Sequence, residues 1–99
     1  MGVQLGTDLS NPDTIPWFLW DQPMRVADVH RVLSEGSASA RRRLLARILR
    51  EARDTEVWAF TTPDEVSREW DRLAPMLGKR RAFWAWLLAK WKEQGRLDA

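Results

Sequence analysis

The 99-residue chain predicts an all-α fold, a compact bundle of about four helices with an extended N-terminal arm. Three observations predict it. Apolar residues recur at helical spacing in four stretches, most of them bounded by capping or stopping residues. The connections between those stretches run to roughly two to eight residues, as in helical bundles. Seven Trp and three Phe supply a small core, since each buried aromatic removes about 150–250 Å² from water. The length fits one domain, which buries roughly 60 to 65% of the surface of the unfolded chain.

Residues 1–15 contain Gly2, Gly6, Ser10, Asn11 and Pro12 without a sustained period. They read as a flexible arm, or one that orders on binding, ahead of a single helical domain at 16–99. Ile15-Pro16-Trp17-Phe18-Leu19-Trp20 is densely apolar, and Pro16 pushes Ile15 toward an extended shape.

The first helix is expected to start after Asp21 as N-cap, with Pro23 in its first turn. Val26, Val29, His30 and Leu33 define one face, and Gly36 stops it. Ser37 or Ser39 caps a second helix that runs to about Arg53. Its apolar stripe is Leu44, Leu45, Ile48, Leu49 and Ala52. Arg41, Arg42, Arg43, Arg47, Arg50 and Arg53 cover the rest, opposed only by Glu51.

Residues 56–60 read as a turn of helix or an extended connector. Thr62-Pro63-Asp64-Glu65 then forms a capping box with Pro at the first helical position. The third helix turns Val66, Trp70 and Leu73 inward; Pro75 ends it and Gly78 marks the turn. The last helix spans roughly 79–94, stopped by Gly95. Phe83, Trp84, Leu87, Leu88 and Trp91 form its stripe, with Trp86 at the edge or beyond.

Composition narrows the chemistry. There is no Cys, which excludes disulfides, thiolate metal sites and Cys nucleophiles. A single His excludes a His pair on a metal. Glu65 and Glu69 share a helix face, but solvated surface is the ordinary reading of such a pair. No phosphate-binding glycine loop, nucleophile elbow or zinc motif is present. The expectation is therefore a non-enzymatic protein with no catalytic residues, no cofactor and no metal. His30 reads as a partly buried structural residue, with a ligand or pH-sensing role as the alternative. Neither a leader-like N-terminus nor an apolar run of ~20 residues is found, so a cytoplasmic location without a membrane span is expected.

Binding residues are better represented. Thirteen of the 16 basic residues are Arg, the side chain suited to bidentate contacts with carboxylates and phosphates. Arg41, Arg42 and Arg43 open a helix, where positive charge opposes the macrodipole at a few tenths of a kcal/mol each. An external anion offsets that opposition. So does Glu35, or the acidic stretch of Asp54, Glu56, Asp64, Glu65, Glu69 and Asp71, and the external and internal readings both stay open. Lys79, Arg80 and Arg81 form a second basic cluster; if the two share a face, the footprint suits nucleic acid or an acidic protein pocket. Trp17 and Trp20 either plug the open end of the bundle or anchor an interface. Trp86 is the remaining candidate for an exposed aromatic contact.

Pro16-Trp17-Phe18-Leu19-Trp20-Asp21, Arg47-Ile48-Leu49-Arg50-Glu51-Ala52-Arg53 and Glu56-Val57-Trp58 resemble a pattern in a family of small bacterial and archaeal proteins. The family shows a Pro-aromatic-Leu-Trp-Asp start, an "ILxxAR" helix end and a following Val-Trp. The resemblance covers roughly residues 16–60, with a looser echo in Phe83-Trp84. Genes of that family often lie beside genes for abortive-infection-type nucleotidyltransferases, the toxin halves of some toxin–antitoxin pairs. The resemblance implies an antitoxin-like protein that neutralises a nucleotidyltransferase by direct contact. The arginine clusters would meet the enzyme's acidic metal-binding residues, and Trp17 or Trp20 would anchor the contact. The alternative expectation is a DNA- or RNA-binding module or operon autoregulator, with the third and fourth helices acting as a helix-turn-helix pair.

Overall fold

A computed structural model describes residues 5–97. Residues 1–4 of the expected arm and the last two residues of the expected domain lie outside the described residues. Helices dominate, as the spacing predicts, but the four expected helices resolve into six among the described residues. These are α1 (Val26–Glu35), α2 (Ala38–Glu51), α3 (Asp54–Val57), α4 (Pro63–Arg68), α5 (Trp70–Leu73) and α6 (Arg81–Glu93). Short 3-10 turns at Trp17–Leu19, Ala74–Met76 and Gly78–Arg80 join them.

Residues 5–15, read from the sequence as part of the arm, are tied to the helices. β1 (Leu5–Gly6) pairs in parallel with β2 (Ile15–Pro16), Leu5 opposite Ile15. The loop between them then caps α1. The Val26 N–H donates to the Thr14 carbonyl at 2.8 Å, and the Ala27 N–H to the Pro12 carbonyl at 3.0 Å. A helix leaves its first N–H groups without intrahelical partners, and here backbone carbonyls satisfy two of them. Asp21 is therefore not the cap: α1 begins at Val26, and the Asp21 carboxylate turns to Arg47.

α2 starts as expected at Ser37, whose hydroxyl accepts from the Ala40 N–H at 3.1 Å. It stops at Glu51 rather than Arg53, because the Arg53 N–H donates to the Glu56 carboxylate at 2.9 Å and opens α3. The Leu49 carbonyl, near the end of α2, is taken instead by the buried Trp84 indole N–H at 2.8 Å. α6 is thereby pinned to the end of α2.

Thr62 caps α4 by accepting from the Glu65 N–H at 3.2 Å. Glu65 does not complete a box on Thr62; its carboxylate accepts the Thr61 hydroxyl at 3.1 Å. The expected third helix breaks at Glu69, whose φ of −95° and ψ of 7° separate α4 from α5. At the other end of the chain α6 closes in a Schellman motif. Gly95 adopts φ 71°, its N–H donates to the Lys92 carbonyl and the Arg96 N–H to the Trp91 carbonyl.

Phe18, Val29, Ile48, Leu49, Val57, Val66, Leu73, Leu77 and Trp84 are buried in one core. Trp58 lies beside both Trp84 and Trp91, with ring centroids 5.7 and 5.6 Å away. The 3-10 turn at 17–19 inserts Phe18 and Leu19 into that core, which sends Trp20 outward.

Candidate partner-binding surface

Arg43, Arg47 and Arg50 recur at i, i+4 and i+7 along α2 and so share one face of the helix. They line an open groove of about 630 Å³. Its apolar walls come from Leu19, Met24, Val32, Leu44 and Met76. These side chains come from the 17–19 turn, the linker that follows it, α1, α2 and the 74–76 turn, so the groove is a product of the tertiary fold.

The three guanidinium groups differ in their partners. Arg47 is the most enclosed, with 18% of its side chain exposed. Its Nε and Nη2 donate to the Phe18 carbonyl at 3.3 and 3.1 Å, and its Nη1 and Nη2 hold the two Asp21 carboxylate oxygens. That hydrogen bonding lowers the Asp21 pKa below its ordinary value of 3.8. Arg50 donates to the Met76 carbonyl at 3.1 Å and to Glu51 at 3.2 Å. Arg43 is exposed and makes no ion pair among the described residues.

The other expected binding residues are dispersed. Arg42 pairs with Glu69 at 3.1 Å, and it lines a smaller recess with Arg41, Arg68 and Glu65. The internal reading of the Arg triplet thus applies to Arg42. Glu65 and Glu69 are both engaged by neighbours, and no cluster of metal-ligating side chains occurs among the described residues. Arg80 lies 3.7 Å from Asp54 and stacks its guanidinium on Phe83 and Trp84 at 5.0 and 5.6 Å. Arg81 is exposed at the start of α6. Arg80 reaches past the C-terminal end of α2, whereas Arg41–Arg43 occupy its first turns. A rise of 1.5 Å per residue puts roughly 14 Å of helix between those two levels.

Trp17 is half-buried and engaged. Its indole N–H donates to both Glu56 oxygens at 3.0 and 3.2 Å, and its ring meets Phe18 edge-on. The ring is also partly buried against the core cluster. Trp20 is 66% exposed and Trp86 56% exposed. His30 is exposed and rests its ring against Phe60, 5.2 Å between centroids.

Sequence reasoning placed Arg47 and Arg50 on the polar side of α2 without a role, and it passed over Met24 and Met76. The i, i+4, i+7 spacing of Arg43, Arg47 and Arg50 was a signal for the first pair. Nothing local signals the methionines. No helix among the described residues is long and apolar enough to cross a membrane. Comparison with protein-family models, curated proteins and solved structures finds no match.

Proposed function

We propose that this chain is a non-enzymatic binding protein, the antitoxin-like partner of a nucleotidyltransferase toxin, which it neutralises by direct protein contact in the cytoplasm. The observation that carries the binding reading is the exposure of Trp20 and Trp86 on a small protein that packs its other Trp side chains wholly or partly. Tryptophan is over-represented among the residues that dominate interface energies. Trp20 follows Leu19 in the chain, and Leu19 is a wall of the arginine-lined groove. The sequence resemblance in 16–60 supplies the class of partner. An acidic metal-binding site on such an enzyme complements the Arg43 side of α2.

Affinity purification of the full chain from its native host, with and without nuclease, tests this reading. A nucleotidyltransferase recovered in stoichiometric amount after nuclease, with its toxicity relieved by co-expression, supports it. Recovery of nucleic acid alone overturns it.

A nucleic-acid-binding role is the second reading, and Trp86 favours it. The ring is exposed on α6 one turn before Lys90, and base–aromatic stacking beside a cation is a common way of holding single strands. Salt separates the two: phosphate-backbone binding weakens steeply as salt rises, whereas an apolar protein interface responds little.

A further inference from the structure

We infer that the groove along α2 receives an acidic amphipathic helix of a partner protein, with a carboxylate of that helix on Arg43. The inference rests on the protein-binding reading above and assigns it a location and a recognition mode.

Charge comes first. Three arginines and no acidic residue line the groove. Asp21 satisfies Arg47 and Glu51 satisfies Arg50, so Arg43 carries the positive charge that remains unmatched at the rim. A guanidinium in that position pairs bidentately with a carboxylate.

The walls select the rest of the occupant. Met24 and Met76 stand among the apolar lining side chains, and methionine is unbranched and adapts to varied apolar partners. The carbonyl of Met76 is already held by Arg50, which fixes that wall. The lining residues of α1 and α2 lie on helices whose backbone groups are internally bonded, so these walls present no sheet edge. No strand of an occupant can therefore be continued into a sheet along these walls. A helix bonds its own backbone groups while offering apolar side chains at i, i+3, i+4 and i+7 to the groove.

The experiment is site-specific photo-crosslinking of the full chain in its native host. Benzoylphenylalanine is placed singly at Met76, at Trp20 and at Trp86, and adducts are identified by mass spectrometry. The expected result is a protein adduct at Met76 whose attached segment has helical apolar periodicity and at least one acidic residue. Arg43→Glu lowers its yield by about tenfold or more, and Arg43→Gln by less, because only the reversal adds like-charge repulsion. Arg43 is exposed, so far-UV circular dichroism should be unchanged in both variants. A Met76 adduct with nucleic acid or lipid, with a segment lacking acidic residues, or insensitive to Arg43→Glu overturns the inference. Protein adducts at Trp20 or Trp86 alone overturn it while leaving the protein-binding reading standing. Absence of protein adducts at all three positions overturns both.

Discussion

Arg47 binds the Asp21 carboxylate through both terminal guanidinium nitrogens while donating to the Phe18 carbonyl, and so fastens the Trp17–Leu19 turn to α2. The turn carries two core side chains, Phe18 and Leu19, and one groove wall. Removing the guanidinium leaves the Phe18 carbonyl without this donor, a loss of about 1–3 kcal/mol for a buried group. Arg47→Ala should therefore lower the urea midpoint and increase quenching of Trp fluorescence as the 17–20 segment loosens. An unchanged midpoint would show that the turn is held by its apolar packing alone.

The same contact predicts a pH dependence. Arg47 holds the Asp21 pKa below 3.8 in the folded protein, while the unfolded chain keeps the ordinary value. The unfolded state then binds more protons in acid, so the contribution is fully present above about pH 3.8 and is lost as pH falls through the folded value. Asp21→Asn should flatten the acid limb of stability measured by urea denaturation between about pH 5 and pH 2. Asp8, whose pKa the Ser10 hydroxyl lowers, keeps part of the slope in that variant. An acid limb identical to that of the unsubstituted protein would refute the assignment.

Trp84 and Leu49 make a second long-range fastening. The carbonyl that α2 would offer to the Arg53 N–H goes to the Trp84 indole, because Arg53 bonds to Glu56. Trp84→Phe keeps most of the ring and removes the donor. It should cost about 1–3 kcal/mol, read as a lower midpoint at unchanged denaturant slope. Amide exchange should accelerate first in the last turn of α2. If exchange instead accelerates uniformly, the ring and not the hydrogen bond holds that helix end.

These fastenings also mark what was legible in the sequence. Ser37, Thr62 and Gly95 were readable because a cap or a left-handed glycine is settled within a few residues. The stripe of α6 was readable because Trp84 and Leu88 lie one turn apart. Asp21 misled because the same carboxylate that suits an N-cap also suits an arginine, and only the tertiary fold brings Arg47 to it. The break at Glu69 has no proline or glycine to announce it, and there the carboxylate is drawn to Arg42. The groove was hidden for the same reason: Met24 and Met76 come to line one groove only after the chain has folded.

Glu56 ties the Trp17–Leu19 turn to the start of α3 with one carboxylate. It accepts the Arg53 N–H at the start of α3 and the Trp17 indole N–H, and Arg53 in turn lies 5.8 Å from the Trp17 ring. Glu56→Ala removes a helix-start partner, worth about 0.5–2 kcal/mol. Glu56→Gln retains an acceptor and should recover most of that loss. Equal destabilisation by both would assign the effect to charge.

Trp20 and Trp86 separate stability from binding. Both rings stand mostly in solvent, so replacing either by Ala should change unfolding free energy by no more than about 0.5 kcal/mol. If they anchor a partner, the same substitutions should each weaken that complex by about 2 kcal/mol or more, roughly thirtyfold in Kd. Calorimetric titration against the co-purified partner reads the second quantity and chemical denaturation the first. Trp20 follows the Trp17–Leu19 turn and Trp86 sits on α6, which gives the pair a further use. Loss at Trp20 alone places the interface beside the Trp17–Leu19 turn, and loss at Trp86 alone moves it to α6. Loss of stability without loss of binding at both would return these side chains to the fold and remove the observation on which the functional reading stands.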